Sequence, residues 1–386
     1  MKKYDYIIAG AGLSGLLLAL EMSKTSLKNK RVLLVDKDAK NTNDRTWCFW
    51  SDEKFELDKL VFKKWGKIRF TTNTSDAAYK VDPYKYEYIR GIDFYNYANE
   101  ELKSCENYTS LIGEISEISS EGYIIVEGEK YEAETIFNSV HPSFSEFSYP
   151  KGECYFLLQH FKGYFLETEE DLFDPSEATF MDFKIEQHKE ARFGYILPFS
   201  KREALVEYTL FSQNLLTKEA YVKELEDYIS NRLGIKKYKI LHEEFGIVPM
   251  STYSYQPKFD GKVIRIGTFG GFVKPSSGFA FARTFKRIKK IVSDLEKYDK
   301  VNPSSLDPPA KYKLYDNILL SILEKDNTAT KDIFEKMFAN LPASTILKFL
   351  DEESSLWEDL KVISLFFFDK RFFKASVKEI SRLVWK

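Results

Sequence analysis

The hydrophobic positions change period several times along the chain, and each change marks an element. Tyr4 to Ala9 is a short, nearly continuous apolar run, the pattern of a strand buried on both faces. It enters Gly10-Ala11-Gly12-Leu13-Ser14-Gly15, after which Leu16, Leu20 and Met22 predict a helix. Arg31 to Val35 predicts a second strand, ending in Asp36. Tyr86 to Ile92 runs into a helix pattern carrying Phe94, Tyr97 and Leu102. Ile112 to Ile118, Tyr123 to Glu127 and Lys130 to Phe137 alternate in the manner of a small antiparallel sheet. From Gly152 to Met250 strand patterns dominate: Cys154 to Phe161, Thr179 to Ile185, Ala191 to Leu197 and Ala204 to Phe211, then a helix with Tyr221, Leu225 and Tyr228 that ends at Gly234. Val263 to Gly267 predicts one more strand, ahead of a second glycine turn and a basic helix through Phe285, Ile288 and Val292. Beyond the proline-bearing linker Asn302 to Pro309 the chain reads as helix, with one apolar stripe through Leu314, Ile318 and Ile322 and another through Ile333, Phe334 and Met337.

This order predicts an α/β chain in three parts: a discontinuous nucleotide-binding domain (1–50, 85–145 and 255–300), an inserted antiparallel-sheet substrate domain (51–84 and 150–254), and a helical C-terminal region (301–386). At 386 residues the chain exceeds the size at which one core stops growing. Lys plus Arg is 57 and Asp plus Glu is 59, so net charge makes no case for nucleic-acid binding. Cys48, Cys105 and Cys154 are widely spaced and His141, His160, His188 and His242 form no ligand-spaced pair, which reads as a reduced, metal-free cytosolic protein. No apolar run reaches the ~20 residues needed to span a bilayer, and the first one continues into glycine instead of a cleavage site, so the expectation is a soluble or peripheral chain. Aromatic residues make up 16%, which either lines an apolar tunnel or reflects a general bias towards Lys, Phe, Tyr, Ile and Asn.

The candidate chemistry falls in seven places. Gly10, Gly12 and Gly15 form G-x-G-x-x-G at a strand-to-helix turn, where helix amides hold a pyrophosphate, and Asp36, about twenty residues on, is suited to ribose hydroxyls. Asn43 to Trp50 is dense in aromatic and polar groups and serves equally as a core loop or as a wall beside a cofactor, with Arg45, Trp47, Phe49 and Trp50 the candidates. Arg90, just before a helix, is either a phosphate partner or half of a surface salt bridge. Gly267, Gly271, Pro275 and Gly278 belong to the second glycine turn, and two such turns suit a large dinucleotide. Glu207, in Leu205-Val206-Glu207-Tyr208-Thr209, either faces water as an ordinary acid or lies buried, where desolvation makes it a proton donor near neutral pH. Glu243 and Glu244 are each site or surface. Phe366 to Phe368 and Phe372-Phe373, among Lys370, Arg371, Lys374, Lys378 and Arg382, suit an interfacial helix on anionic lipid as well as they suit a buried helix.

Taken in order, these motifs resemble the bacterial lycopene β-cyclases, flavoproteins related to the flavin monooxygenases. The likeness runs nearly end to end, through Gly10 to Gly15 with Asp36, Asn43-x-x-Thr46-Trp47-x-Phe49, Met181-Asp182, Leu197-Pro198, Leu205-Val206-Glu207-x-Thr209, Glu244-x-Gly246-x-x-Pro249 and Lys274-Pro275-Ser276-Ser277-Gly278-Phe279. The resemblance implies a Rossmann-type FAD-binding domain, reduced FAD as cofactor with NAD(P)H as reductant, and redox-neutral conversion of the linear ends of lycopene, or of another linear carotenoid, into β-ionone rings. It implies Glu207 as proton donor, Trp47, Phe49, Trp50 and Glu244 at the substrate, and a cytoplasmic protein peripherally bound to the inner face of the cell membrane. Two positions depart from the pattern: Thr268 stands where related monooxygenases carry aspartate, and Asn138-Ser139 where relatives often have Asp-Gly. An FAD-dependent reductase or monooxygenase acting on an isoprenoid, and a non-catalytic carotenoid-binding protein, are the alternatives.

Overall fold

A computed structural model describes residues 2–52, 56–140, 154–253 and 259–384; His141 and the expected domain edges at 145, 150, 254 and 255 lie outside them. Strands Lys2–Ala9 and Val32–Asp36 pair in parallel, joined through helix Leu13–Ser23. Such a connection has to leave the sheet plane, which is why the apolar strand ends in glycines that turn the chain at once into a helix. The eight-stranded sheet runs in the order Phe259–Asp260, Val263–Arg265, Glu129–Asn138, Lys2–Ala9, Val32–Asp36, Tyr108–Ile112. Helix Phe281–Tyr298 packs against Leu13–Ser23, and Ile8, Leu16, Leu20, Leu34, Ile266 and Ile288 share one core.

The three strands expected to form a small antiparallel sheet join this larger one. Tyr123–Val126 pairs antiparallel with both Ile115–Ser119 and Glu129–Asn138, but the far edge of Glu129–Asn138 pairs in parallel with Lys2–Ala9. Alternation reports which face of a strand is buried and says nothing of what lies on its other edge.

The second sheet has seven strands in the order Tyr238–Ser251, Phe156–Thr168, Glu203–Ser212, Ala191–Pro198, Glu177–Asp182, Lys67–Thr71, Asp76–Lys80. Both its faces are covered. Ala204, Val206, Tyr208 and Leu210 pack with Tyr221 and Leu225 of helix Lys218–Asp227 on one side. On the other, Leu205 and Phe211 share a core with Phe334, Phe338, Ile346 and Leu347 from helices Ala329–Asn340 and Ala343–Leu350. A three-stranded sheet, Thr46–Ser51, Lys85–Arg90, Val61–Trp65, bridges the two larger ones. The proline-bearing linker is anchored by fully buried Leu306, and the helix after it, Ala310–Leu323, packs against the last, Lys370–Val384.

Candidate active site

Strand Glu203–Ser212 lies between two long neighbours, and side chains alternate across it. Glu207 therefore shares its face with Leu205, Thr209 and Phe211, the face roofed by the C-terminal helices. The strand registers set the side chains out in rows. Glu244, Gly163, Glu207 and Tyr195 lie side by side on four consecutive strands. Gly246, Phe161, Thr209 and Phe193 form the next row, and Val248, Gln159, Phe211 and Ala191 the one after. Most of these side chains line a cavity of about 470 Å³ together with Asp44 to Cys48, Tyr86, Phe180, Thr268, Val273 and Ser276 to Phe281, closed above by Phe334 and Leu350.

Glu207 is 5% exposed and Glu244 8%. Burial first, then the charge of Glu244 and hydrogen-bonding contact with it, push the Glu207 carboxyl well above the usual carboxylate range; the Thr209 hydroxyl, 3.4 Å from Oε2, pulls weakly the other way. A carboxyl so placed keeps its proton to higher pH than an ordinary one. Two phenols and a thiol nearby are neutral: Tyr86 and Tyr195 join their hydroxyls at 2.7 Å, and burial raises both phenols and the Cys48 thiol well above their ordinary values. Thr46 Oγ1 donates to Glu244 Oε2 at 2.6 Å, while Glu244 Oε1 is buried without a hydrogen-bond partner. An apolar, aromatic pocket with a protonated acid at its floor is built for delivering a proton to a weak base.

The two glycine turns meet beside this cavity. Gly10 has φ +97° and a side chain there would collide with the Ser139 hydroxyl, which donates to the carbonyls of Ala9 and Gly10 at 3.0 and 3.1 Å. A side chain at Gly15 would strike the Gly10 carbonyl. Asn138-Ser139 is thus a structural brace for the turn. A Cβ at Gly12 would point into open space, and Gly12 precedes helix Leu13–Ser23 with no side-chain cap on the helix amides. Asp36 Oδ2 accepts from the Ala11 amide at 2.6 Å, which holds the acid at this opening. Free helix amides, clearance and a nearby acid fit the pyrophosphate and ribose of a dinucleotide. Gly267, φ +67°, abuts the same turn: its Cβ would lie 3.2 Å from Ser14 Oγ. Gly278, φ +75°, packs on Gln159, whose Oε1 is buried without a partner, as is Ser277 Oγ. Orphaned polar atoms on the cavity wall next to a glycine turn fit a polar ring system.

The other expected residues divide. Trp47 lines the cavity, edge-on to Phe94 at 5.4 Å and Tyr95 at 5.7 Å. Phe49 and Trp50 border a small adjoining pocket together with Phe279 and Phe281: Phe49 stacks on Phe281 at 4.6 Å and Trp50 meets Phe279 edge-on at 4.7 Å, and Phe279 and Phe281 also line the larger cavity. Arg45 lies at the cavity, its Nη1 donating to the Asp44 carbonyl at 2.9 Å. Arg90 is held by Asp93 at 2.5 and 2.9 Å and lies over the Phe62 ring, outside the set of lining residues, so its engagement is the surface-pair alternative. Gly271 and Pro275 border a smaller adjoining cavity of about 170 Å³ with Arg283 and Asp316. Sequence reasoning missed Gly163, which cross-strand register brings in, and Tyr86, which the packing of the three-stranded sheet brings in; no local pattern reports either.

A family profile described as "Lycopene cyclase protein" matches residues 5–376. Among curated proteins, the chain is 26% identical over 304 residues to a neoxanthin synthase of Solanum lycopersicum, a match covering 73% of this chain and 58% of that protein. It is 25% identical over 308 residues to a capsanthin/capsorubin synthase of Capsicum annuum, covering 73% and 58%. It is 24% identical over 315 residues to a lycopene beta cyclase of Solanum lycopersicum, covering 76% and 60%. The chain thus spans about six tenths of the length of these relatives. Among solved structures, a geranylgeranyl bacteriochlorophyll reductase-like protein of Thermoplasma acidophilum superposes with a TM-score of 0.62 at 15% identity, covering 99% of this chain and 100% of that one. A 2-methyl-3-hydroxypyridine-5-carboxylic acid oxygenase gives 0.60 at 11% identity, covering 90% and 96%. These likenesses show a shared fold.

Proposed function

Because the chain belongs to the lycopene cyclase family, we propose that it is a lycopene β-cyclase, an isomerase that closes the linear ends of lycopene into β-ionone rings. The observation that carries this reading is Glu207, a buried carboxyl held well above the usual carboxylate range at the floor of an aromatic cavity. An alkene is a very weak base, so the acid that protonates it has to be dry, neutral and close. Glu207 gives its proton to the terminal double bond, and the tertiary cation that results is attacked by the electrons of a neighbouring double bond. The Glu207 carboxylate left by the first step takes up one ring proton, which leaves the new double bond and restores the acid. One proton enters and one leaves, with no net change of oxidation state. The faces of Trp47, Phe279 and Phe281 stabilise positive charge in the cavity.

Gly10, Gly12, Gly15 and Asp36 would hold the adenosine and pyrophosphate end of FAD, and Gly267, Thr268, Gly271, Pro275 and Gly278 the ring end. Reduced FAD would supply a negative charge beside the developing cation. NAD(P)H is the proposed reductant that prepares it, without being consumed in proportion to product. Action from the cytoplasm on the inner face of the cell membrane is part of the same reading, supported by an exposed apolar helix face at the C-terminal end.

The test is pigment analysis in lycopene-accumulating cells, backed by anaerobic turnover with chemically reduced FAD and no NAD(P)H. β-Ionone rings should form without stoichiometric flavin oxidation. Glu207→Gln keeps shape but has no acidic proton, and should lower cyclisation by roughly 10²- to 10⁴-fold with flavin still bound. Flavin oxidised one-for-one with product would make the protein a reductase instead, and pigment bound without conversion would make it a carrier.

A further inference from the structure

Gly163 is the one position in the Glu244–Gly163–Glu207–Tyr195 row without a side chain, and it separates the two carboxylates. A Cβ built on it would lie 2.9 Å from Glu207 Cγ and 3.2 Å from Glu244 Cγ. Its absence lets two acids on strands that are not neighbours lean together over the strand between them. Both are buried, and two negative charges in a dry pocket this close do not coexist. The donors around the pair are arranged unevenly. Thr46 donates to Glu244 Oε2 at 2.6 Å, a firm bond to an accepting oxygen, whereas Thr209 reaches Glu207 only at 3.4 Å. Glu244 Oε1 is a buried acceptor with no donor of its own. A protonated Glu207, in hydrogen-bonding contact with Glu244, is able to satisfy it.

We propose that Glu244 is a positioning residue that keeps the catalytic proton on Glu207: across the gap left by Gly163 the two carboxyls hold a single proton, carried by Glu207 and accepted by Glu244 Oε1. The charge of Glu244 keeps Glu207 from ionising, and its Oε1 fixes where the proton sits before substrate arrives. Gly163 is required because any side chain there drives the pair apart. The proposal rests on the acid role given to Glu207 above, yet concerns a property the protein has without substrate. The charge of Glu244 acts on the Glu207 carboxyl, so a change at Glu244 is read at Glu207.

Infrared titration of the purified flavin-loaded protein reads it directly. Subtracting the spectrum of Glu207→Gln isolates the protonated carboxyl band and its midpoint in pH. In Glu244→Gln the neighbouring charge is gone, so the midpoint should fall by about one pH unit or more. Gly163→Ala, which separates the acids without removing either, should move it in the same direction, and retained flavin reports that each variant is folded. In turnover, activity needs protonated Glu207 and declines as pH rises through its pKa, so the alkaline limb should shift to lower pH in both variants. An unchanged midpoint in folded Glu244→Gln overturns the pair. A shifted midpoint in a protein that forms no rings leaves the pair standing and removes the cyclase reading instead.

Discussion

Single residues in this protein are governed by which face of the second sheet they occupy. Glu207 and His160 stand on adjacent strands but point to opposite sides, and the same burial acts on them with opposite sign. It raises the carboxyl, and it lowers the His160 imidazole to about 4, with the Arg192 charge adding to the effect. His160 is held neutral between Ser212, 2.9 Å from Nε2, and Tyr221 on Nδ1. Its folded value lies below the unfolded value of about 6.5, so the unfolded chain takes up a proton first as pH falls. The stability His160 lends is complete above pH 6.5 and drains away towards pH 4, by roughly 3 kcal/mol in all. Urea denaturation at a series of pH values should show wild type losing stability relative to His160→Gln across that window. A gap independent of pH would mean that His160 is not the acid-sensitive group.

At the scale of elements, the last helix divides into a packed face and an exposed one. Ala375 and Glu379 turn inward, and the Tyr155 hydroxyl donates to Glu379 at 2.5 Å while accepting from Lys378 at 2.9 Å and Arg382 at 3.1 Å. Phe366 is buried and stacks on Phe372 at 4.3 Å, so this pair belongs to packing. Phe367, Phe368 at 92% exposure, Phe373, Val377 and Ile380 lie open, continued on helix Leu356–Ser364 by Leu356, Trp357, Leu360 and Ile363. Exposed rings beside Lys370 and Lys374 suit an anionic bilayer surface; among the described residues no helix is long and apolar enough to cross one. The triple change Phe367→Ser, Phe368→Ser, Phe373→Ser should therefore reduce flotation with anionic vesicles and leave folding intact. Phe366→Ser should cost stability. Flotation of the triple variant equal to wild type would remove the helix from any membrane role.

At the scale of the molecule, the second glycine turn is fastened to the C-terminal helices by a buried charge cluster. Lys274 Nζ lies 2.6 Å from Asp316 and 3.1 Å from Glu352, and Arg283 also pairs with Glu352. Removing one member of a buried pair strands the other, whereas replacing both with apolar groups is often nearly neutral. Lys274→Met should lower stability by about 3–5 kcal/mol in urea denaturation, and adding Asp316→Leu should restore much of it. If the double variant were as unstable as the single, the ion pair itself would be what fastens the helices.

The chain alone determined everything that depends on near neighbours. The glycine turns, the parallel strands beside them, the helical C-terminal part and the motif around Glu207 are all local, because period, turn chemistry and hydrophobic run act over a few residues. What it left open was decided by contacts between distant segments. Glu207 is buried because helices more than a hundred residues later roof its strand. Phe49 and Trp50 meet the rings of Phe279 and Phe281, which come from a turn more than two hundred residues later in the chain. Glu244 meets Glu207 only because Gly163, on the strand between, has nothing to put in the way. Register across a sheet is set by the whole set of strands at once, and no single stretch of sequence carries it.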